Sequence, residues 1–464
     1  MAKRADMTAM AATGIELLRA RMAACAAVQM PSHLERLGWS AGQLADFQRQ
    51  RLRALLRRAM DGSPFHAARL AGINPGEFEL ADLSLLPVMT KAQMLASFDQ
   101  IVTDRRLTRD VVERHLACSA AEPSLLLGDY VCLVSGGSSG LRGLFVQTAE
   151  EYAEFGGAVK WTTVATLMAS GARPPDDIVI GLVGAASPVH SSGFGAAVGL
   201  GPPARLVGVP ATLLVSEIVE RLNAAQPYAM IGYASKLAQL ADEQREGRLR
   251  IAPLAVISIT EPLTCGDRHR ISGAFGVPVT DMFVSTEGLV GSSEPGQPVI
   301  TLASDLCLAE CVDSDNNPVP DGTEAAKVLI TNLHNRTQPL IRYELNDRFV
   351  PAGISANGSL RATVAGRAEE VFRYGAVQVH PHVFVTALLA EAAVREYQVR
   401  QTKTGADIAI VAERPIDEAA VTAAIVGKLR RAGVAGPAVT IRRVDAIARD
   451  PRTAKSRRFI PLES

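Results

Sequence analysis

Residues 133–143 read Leu-Val-Ser-Gly-Gly-Ser-Ser-Gly-Leu-Arg-Gly, and this stretch decides the fold. Two apolar residues typical of a strand run directly into a loop built of Ser and Gly. Glycine tolerates positive φ and lets a ligand come close to the backbone. Successive free N–H groups and small hydroxyls can then surround an anion such as a triphosphate. A flexible Gly/Ser turn is the alternative interpretation, and the rest of the chain distinguishes the two.

Composition places the chain among ordinary globular proteins. It has 464 residues, of which 48% are hydrophobic and 21% charged, and this length allows about two or three domains. Lys plus Arg and Asp plus Glu both number 48, so no net charge favours nucleic acid or an anionic membrane. We therefore expect neither partner. Scattered cysteines, and charges that interrupt the apolar stretch at 7–30, favour a cytoplasmic protein without a signal peptide.

Between about residues 130 and 345, short apolar runs alternate with helical stretches. This alternation is typical of α/β proteins with largely parallel strands. A turn-rich segment at 312–318 lies between two strand-like runs and predicts a hairpin. The predicted strands are 130–134, 177–183, 254–260 and 328–332, and the predicted helices are 14–60, 148–164, 215–225 and 235–247.

The sequence pattern changes at Gly366 and Arg367, after a turn-rich stretch. The remainder has a pattern of its own, with strands at 406–413 and 438–444 and a helix at 417–431. We therefore predict a large N-terminal domain of mixed sheets and helices, residues 1–365, and a small α+β C-terminal domain, residues 366–464.

Six further segments surround the glycine loop in a characteristic order. In this order they resemble the adenylate-forming superfamily of acyl-CoA synthetases, amino-acid adenylation domains and luciferases, and in particular its phenylacetate–CoA ligase-like branch. The resemblance spans about residues 60–460. The segments are Leu86–Lys91, Ile257–Thr264, Val279–Glu287, Leu340–Arg348, Gly366–Glu370 and Pro451–Arg458.

The resemblance implies an ATP- and Mg²⁺-dependent ligase. Such an enzyme joins a carboxylate to the α-phosphate of ATP, releases pyrophosphate, and then transfers the acyl group, with CoA as the default acceptor. The N-terminal domain would bind ATP and the acid, and the C-terminal domain would act as a mobile lid. Bringing two anions together and stabilising charge on phosphorus is the barrier that the site has to lower.

The resemblance assigns the nucleotide contacts to particular residues. The glycine loop would hold the β- and γ-phosphates. Phe283 would stack on adenine, and Asp281 would accept from the adenine amino group. The loop residues are Ser135, Gly136, Gly137, Ser138, Ser139 and Gly140, and the turn opposite Phe283 is Thr260, Glu261 and Pro262.

The ribose and α-phosphate contacts follow in the same way. Asp347 would accept both ribose hydroxyls, although a surface pair with Arg348 is an alternative. Arg367 would approach the ribose or a phosphate. Ser285 and Thr286 would contact the α-phosphate region.

Three residues carry the catalytic and conformational expectations. Glu287 corresponds to the glutamate that holds Mg²⁺ against the phosphates, and a glutamate at a helix N-terminus is the alternative. Lys455 corresponds to the lysine that bridges the carboxylate and the α-phosphate, and a basic tail is its alternative. Glu369 corresponds to the hinge between the domains.

The acid pocket is expected near His190, Tyr233 and Val284, with a structural role as the alternative for His190 and core packing as the alternative for Tyr233. Val284 stands where the family usually has Gly, so we expect a small or unusually placed substrate. The resemblance to the branch implies a small aromatic or otherwise compact acid. Two other departures are Leu141, where many relatives carry Lys, and Ala454, where Gly usually precedes the catalytic lysine.

These departures keep two other functions open. One is an adenylate-forming enzyme whose acceptor is an amine, a carrier-protein thiol or a small nucleophile such as nitrite. The other is a non-catalytic nucleotide-binding protein with the same fold.

Overall fold

The computed structural model divides into two compact units, Met1–Ala365 and Gly366–Ser464. The boundary between the units falls where the sequence pattern changes. The residues that the structure describes are 2–119, 122–135, 143–169, 178–184, 187–199, 204–211, 213–345, 347–367, 372–375, 377–379, 382–388, 391, 393–412, 414–448 and 457–462.

The first unit opens with helices, as the periodicity at 14–60 predicts. In the second helix the apolar stripe Leu52, Leu55 and Leu56 is fully buried, and Ser40 begins that helix with a capping box to Gln43. The helices are α1 (Ala2–Leu37), α2 (Ala41–Gly62), α3 (Pro64–Arg69), a 3-10 helix (Leu80–Leu85), α4 (Lys91–Ala96), α5 (Phe98–Ile101) and α6 (Arg109–Cys118).

The arginines of α2 are engaged within the protein. Arg51 pairs with Glu154, with Nη2 at 2.9 Å from Oε1, and Arg53 pairs with Glu79 at 2.5 Å. These two arginines are therefore engaged by carboxylates of the first unit.

Alternating strands and helices follow. They are β1 (Tyr130–Val134), β2 (Leu144–Thr148), α7 (Ala149–Ala169), β3 (Ile178–Gly184), α8 (Ser191–Val198), β4 (Ala204–Pro210), α9 (Val215–Ala225), β5 (Ala229–Tyr233), α10 (Ala234–Arg245), β6 (Ala255–Ile259), α11 (Cys265–Phe275), β7 (Val279–Val284), β8 (Val290–Ser293), β9 (Ile300–Leu302), β10 (Cys307–Val312), β11 (Lys327–Asn332), β12 (Tyr343–Leu345), β13 (Asp347–Ile354) and β14 (Leu360–Arg367).

Within the described residues, nine strands form one sheet in the order β13-β14-β9-β8-β7-β6-β5-β3-β4. Neighbouring strands pair in parallel along the run β4, β3, β5, β6 and β7. The pairs β7 with β8, β8 with β9 and β9 with β14 are antiparallel. The predicted α/β fold is confirmed, and the sheet is mixed. Because parallel strands end at one edge, the carboxyl ends of β5, β6 and β7 lie side by side there.

The segment after β10 confirms the predicted hairpin, since β10 and β11 pair antiparallel from Cys307 opposite Asn332 to Val312 opposite Lys327. Strand β12 extends this small sheet. No helix in the described ranges is long and apolar enough to cross a membrane.

The second unit is built on a four-stranded sheet of the described residues, in the order β19-β18-β17-β20. Its core holds an aromatic cluster of Phe372, Phe384 and Phe459. Its elements are β15 (Phe372–Tyr374), β16 (Val377–Val379), α12 (His382–Leu388), β17 (Val394–Gln401), β18 (Gly405–Ala412), α13 (Glu418–Arg431), β19 (Ala438–Arg443) and β20 (Phe459–Ile460).

Two glycines of this unit predict opposite effects of the same substitution. A Cβ on Gly405 would lie 1.7 Å from the Ala438 carbonyl oxygen across the β18–β19 ladder. Gly405→Ala should therefore lower the free energy of unfolding by about 1–3 kcal/mol. Gly427 lies in α13 with no atom within 4 Å of its Cβ position, so Gly427→Ala should raise it by about 1 kcal/mol. Calorimetric unfolding of the full chain measures both, and equal midpoints for the two variants would contradict this packing.

Candidate functional site

The neck of the glycine loop is held closed by two hydrogen bonds. The Ser135 amide donates to the Gly143 carbonyl at 3.0 Å, and the Gly143 amide donates to Ser135 Oγ at 2.9 Å. β1 and β2 pair antiparallel directly below this neck. The remaining predicted loop residues lie outside the described residues. They are Gly136, Gly137, Ser138, Ser139 and Gly140, together with Leu141.

Lys91 places a cation at this neck. Its Nζ donates to Ser135 Oγ at 3.3 Å. Lys91 is also the first residue of α4, which Thr90 caps. A positive charge at a helix N-terminus is unfavourable, so its position indicates a role other than helix stability. Leu86–Lys91 was identified only as a segment of the family resemblance, and the unfavourable position of its charge is the sequence signal that points to Lys91.

The buried Arg342 side chain fixes the segment that carries Lys91. Its guanidinium forms a two-pronged pair with Glu310, at 3.0 and 2.9 Å. It also donates to the carbonyls of Ser84 and Leu86, at 3.1 and 2.8 Å. The Arg342 carbonyl accepts from the Met89 amide at 2.9 Å. One residue thus binds this segment at three backbone positions.

The turn after β6 is strained. Thr260 has φ of 73°, which is unfavourable for a β-branched residue. The Glu261 amide donates to the Ile259 carbonyl at 2.8 Å, closing a three-residue γ-turn around it. Glu261 Oε2 accepts from the Ser235 amide at 2.9 Å, so this carboxylate caps α10. Strain of this kind is concentrated at functional sites, and here it lies in the turn predicted to face adenine.

Two side chains of β7 match the predicted adenine contacts in character. The half-buried Phe283 ring meets Phe349 edge to face, with centroids 5.1 Å apart. Burial raises the pKa of Asp281 to about 6, although the Arg268 guanidinium, 4.0 Å away, opposes the shift. The first offers a fixed aromatic face and the second an acceptor that is titratable near neutral pH.

The β7–β8 turn carries Glu287 at its tip. Ser285 Oγ accepts from the Leu289 amide at 3.2 Å, and the Asn332 amide side chain donates to the Glu287 carbonyl at 2.8 Å. Gly288 has φ of 104°, and a Cβ there would lie 2.2 Å from Asn332 Nδ2. The alternative that Glu287 begins a helix is therefore wrong, because it lies in a hairpin turn. Its neighbour Thr286 is half-buried beside it.

The remaining predicted residues fall into two groups, those that the structure describes and those that lie outside the described residues. Asp347 begins β13, and Arg348 pairs with Glu324 at 2.9 Å. Tyr343 is buried, and the Glu287 charge adds to burial in raising the pKa of its phenol. The Arg367 side chain, Glu369, Lys455 and Ala454 lie outside the described residues.

No group of three or more His, Cys, Asp and Glu in the described ranges could hold a metal ion. Mg²⁺ usually binds through one or two carboxylates, with phosphate oxygens and water completing the shell. Glu287 fits such a site on a nucleotide.

An apolar cavity adjoins the ends of β6 and β7. Its empty volume, including the part open to solvent, is about 1110 Å³. Thr260 and Val284 line it at the sheet edge. Helices α1, α7 and α8 supply most of the remaining lining, which includes Met22, Ala26, Tyr152, Phe155, Lys160 and Val198.

Of the three predicted pocket residues, Val284 lines this cavity. Tyr233 is fully buried, with its hydroxyl 3.4 Å from Ser192 Oγ. His190 caps α8, with Nδ1 3.3 Å from the Val134 carbonyl. Neither of the two is among the residues that line the cavity. The helical lining of α1 and α7 escaped sequence reasoning because apolar and small residues at helical spacing look like ordinary core.

No protein-family model matches the chain. Protein CapK of Staphylococcus aureus is 26% identical over 133 residues, which are 28% of this chain and 28% of that protein. A crystal structure of 2-hydroxyisobutyryl-CoA ligase in the postadenylation state superposes with a TM-score of 0.67 at 18% identity, covering 92% of this chain and 90% of that one. ATP-bound MatB from Rhodopseudomonas palustris gives 0.51 at 17% identity, covering 70% and 66%. The chain therefore has the fold of adenylate-forming ligases, as the sequence predicted, and the phenylacetate–CoA ligase-like branch stays a prediction.

The Arg342 clamp predicts a specific stability loss. Arg342→Met would leave the Glu310 carboxylate without its partner and would remove the donors to two carbonyls. Since both side chains are largely buried, at 4% and 18% exposed, the free energy of unfolding should fall by about 3–5 kcal/mol. Urea unfolding measures this loss.

The double variant with Glu310→Gln is the control. It should lose less than the sum of the two single losses, because the unpaired charge is gone. Strict additivity would show that the pair is energetically independent.

Proposed function

We propose that this protein activates a carboxylic acid with ATP, forming an acyl-AMP and releasing pyrophosphate, and then transfers the acyl group to CoA. The proposal rests on two residues that the apolar cavity shares with the segments predicted to bind the nucleotide. Thr260 and Val284 line the apolar cavity, and both belong to segments predicted to hold the nucleotide. An acid in the cavity would therefore have its carboxylate beside the α-phosphate.

The charged residues assigned to the nucleotide suit the reaction. One carboxylate oxygen attacks the α-phosphorus, and the bond from that phosphorus to the pyrophosphate oxygen breaks. Lys91 at the loop neck would offset negative charge on the phosphates. When bound at Glu287, Mg²⁺ would neutralise phosphate charge and hold the leaving pyrophosphate.

The lid residues complete the proposal. Lys455 would contact the carboxylate and the α-phosphate during adenylation, and movement about Glu369 would then exchange it for the acceptor. The apolar lining, which includes Tyr152 and Phe155, supports an aromatic or otherwise compact apolar acid.

The decisive experiment is pyrophosphate release from ATP and Mg²⁺ with a panel of aryl and short-chain acids, each with and without CoA. Acid-dependent release that turns over only with CoA supports the full proposal. Release with an acid and no stimulation by CoA identifies an amine, a carrier-protein thiol or another nucleophile as the acceptor. ATP binding without any release contradicts an enzymatic role.

Two lysines should separate binding from chemistry. Lys91→Met should raise the KM for ATP and lower pyrophosphate release by about 100-fold, since one stabilising charge is lost. Lys91→Arg should recover part of the lost activity.

Lys455→Ala should lower pyrophosphate release with little change in ATP binding. Steady-state kinetics of both variants check this, and undiminished release in Lys455→Ala would exclude that lysine from adenylation.

Asp281 should make ATP binding sensitive to pH. The Asp281 carboxylate is the stronger acceptor for the adenine amino group when it is ionised. The pKa of Asp281 is about 6. The affinity for ATP should therefore weaken as the pH falls below about 6, by at most about tenfold per pH unit. Titration calorimetry across this range measures the dependence.

Asp281→Asn supplies the matched control. The amide oxygen keeps an acceptor but does not titrate there. The variant should bind ATP without this pH dependence, and a wild-type slope in the variant would assign the dependence to another group.

A further inference from the structure

A glycine pair lies within α7 where this helix lines the cavity. Gly156 and Gly157 lie mid-helix, where each glycine costs about 1 kcal/mol relative to alanine. Gly157 is buried, yet a Cβ placed on it would have no atom within 4 Å. Close packing therefore does not require this glycine. Its missing side chain instead leaves room in the cavity, which both glycines line.

Lys160 lies on the same face of α7, three and four residues further on. It is the one charged residue among the described residues that line the cavity. Long helical side chains run back over the preceding turn, which here is the hollow left by the glycines. Burial lowers the pKa of the Lys160 ammonium, which is half-buried.

The acidic residues of α7 are engaged elsewhere. Glu150 pairs with Arg21 at 2.7 Å, Glu154 pairs with Arg51, and Glu151 accepts from the Arg336 amide at 2.9 Å. Within the described part of the chain, no hydrogen bond or ion pair involves the Lys160 ammonium.

Helix α1 contributes apolar lining to this part of the cavity. Met22, Ala23 and Ala26 form its wall. The Arg21–Glu150 pair holds α1 against α7, and Arg19 Nε donates to the Ala197 carbonyl of α8 at 2.8 Å. A cation beside such a wall has lost part of its hydration, and an anion brought to it restores the lost interaction.

We propose that the acid activated by this protein carries a second anionic group, which pairs with Lys160 in the space left by Gly157. This inference rests on the proposed function and narrows it to dicarboxylate-type acids with an apolar body. A charge-assisted pair in a partly dry site attracts such an acid. An acid without that group leaves the ammonium desolvated and unpaired, so the same lysine also disfavours it.

The test is calorimetric binding of matched acid pairs to the full chain. The pairs are benzoate with para-carboxybenzoate, phenylacetate with para-carboxyphenylacetate, and hexanoate with adipate. The proteins are wild type, Lys160→Met and Lys160→Arg. Lys403→Met, at an exposed turn of the second unit, is the matched control.

The wild type and Lys403→Met should bind one diacid at least about tenfold more tightly than its partner acid. Lys160→Met should abolish or reverse that ratio, and Lys160→Arg should keep part of it. Equal affinities within every pair, no binding of any diacid, or an unchanged ratio in Lys160→Met would overturn the inference.

The glycine and the enzymatic proposal have separate readouts. Gly157→Leu should abolish binding of the preferred diacid, whereas Gly157→Ala should fold with equal or greater stability. Unimpaired diacid binding by Gly157→Leu would contradict the assigned space. Pyrophosphate release, measured alongside, tests the proposed function independently: selective binding without release contradicts the enzyme, and release without diacid selectivity contradicts only the Lys160 pairing.

Discussion

The Arg342 guanidinium is the interaction on which the site depends most. The backbone of Arg342 lies in the left-handed region, with φ of 45°, and the residue is only 3% exposed. From there it joins Glu310 of β10 to the backbone that precedes α4. The Met89 amide donates to its carbonyl, and Met89 bridges in parallel to Tyr343. Lys91 follows two residues later, so its reach to Ser135 is set by this clamp.

A buried guanidinium destabilises the fold unless its N–H donors are hydrogen-bonded. A buried guanidinium has five donors, and those left unmade cost more than a typical hydrogen bond contributes. Here Nε and Nη2 meet Glu310 while Nη1 meets two carbonyls. Nearby, Arg69 donates to the Ile341 carbonyl at 3.0 Å and so supports the same segment from α3. Contacts within the protein therefore hold the segment that carries Lys91.

The second constraint is the shared edge of β6 and β7. Parallel strands end together, so the chain turns after β6 and after β7 at the same edge of the sheet. The proposed acid and nucleotide regions both use this edge. The positive φ of Thr260 and the crowding of Gly288 by Asn332 are local costs of these two turns. Phe283, Val284 and Glu287 follow one another along the chain here, and Val284 lines the apolar cavity together with Thr260. This adjacency, more than any single residue, supports chemistry between an acid and a nucleotide.

Much of the fold was readable from the sequence because its signals are local. The run 130–134 and the helix 215–225 have the bounds predicted for them, since an apolar stretch or a helical stripe needs no information from elsewhere. Mixed sheets were predicted for this unit, but which strands pair antiparallel was not, because strand direction depends on connections between distant segments. Sequence order also predicts that Phe283 and Glu287 share one site, but it does not predict the contacts that hold the turn between β7 and β8.

The residues that sequence reasoning missed are those whose role depends on long-range contacts. Lys91 reaches Ser135 across 44 positions. Lys160 gains its character from α1, a helix that precedes the resembling segments. The lining of the apolar cavity was not predicted, because it comes from helix faces that look like packing surfaces. Tyr233, predicted near the acid, is buried in the core.

The most direct test of the central claim is the fate of a heavy oxygen isotope placed in the carboxylate of an acid that supports pyrophosphate release. Attack of that carboxylate on the α-phosphorus predicts that one labelled oxygen appears in AMP after complete turnover, while pyrophosphate stays unlabelled. Label in inorganic phosphate with ADP as the product, or unlabelled AMP, would contradict acyl-AMP formation at this site.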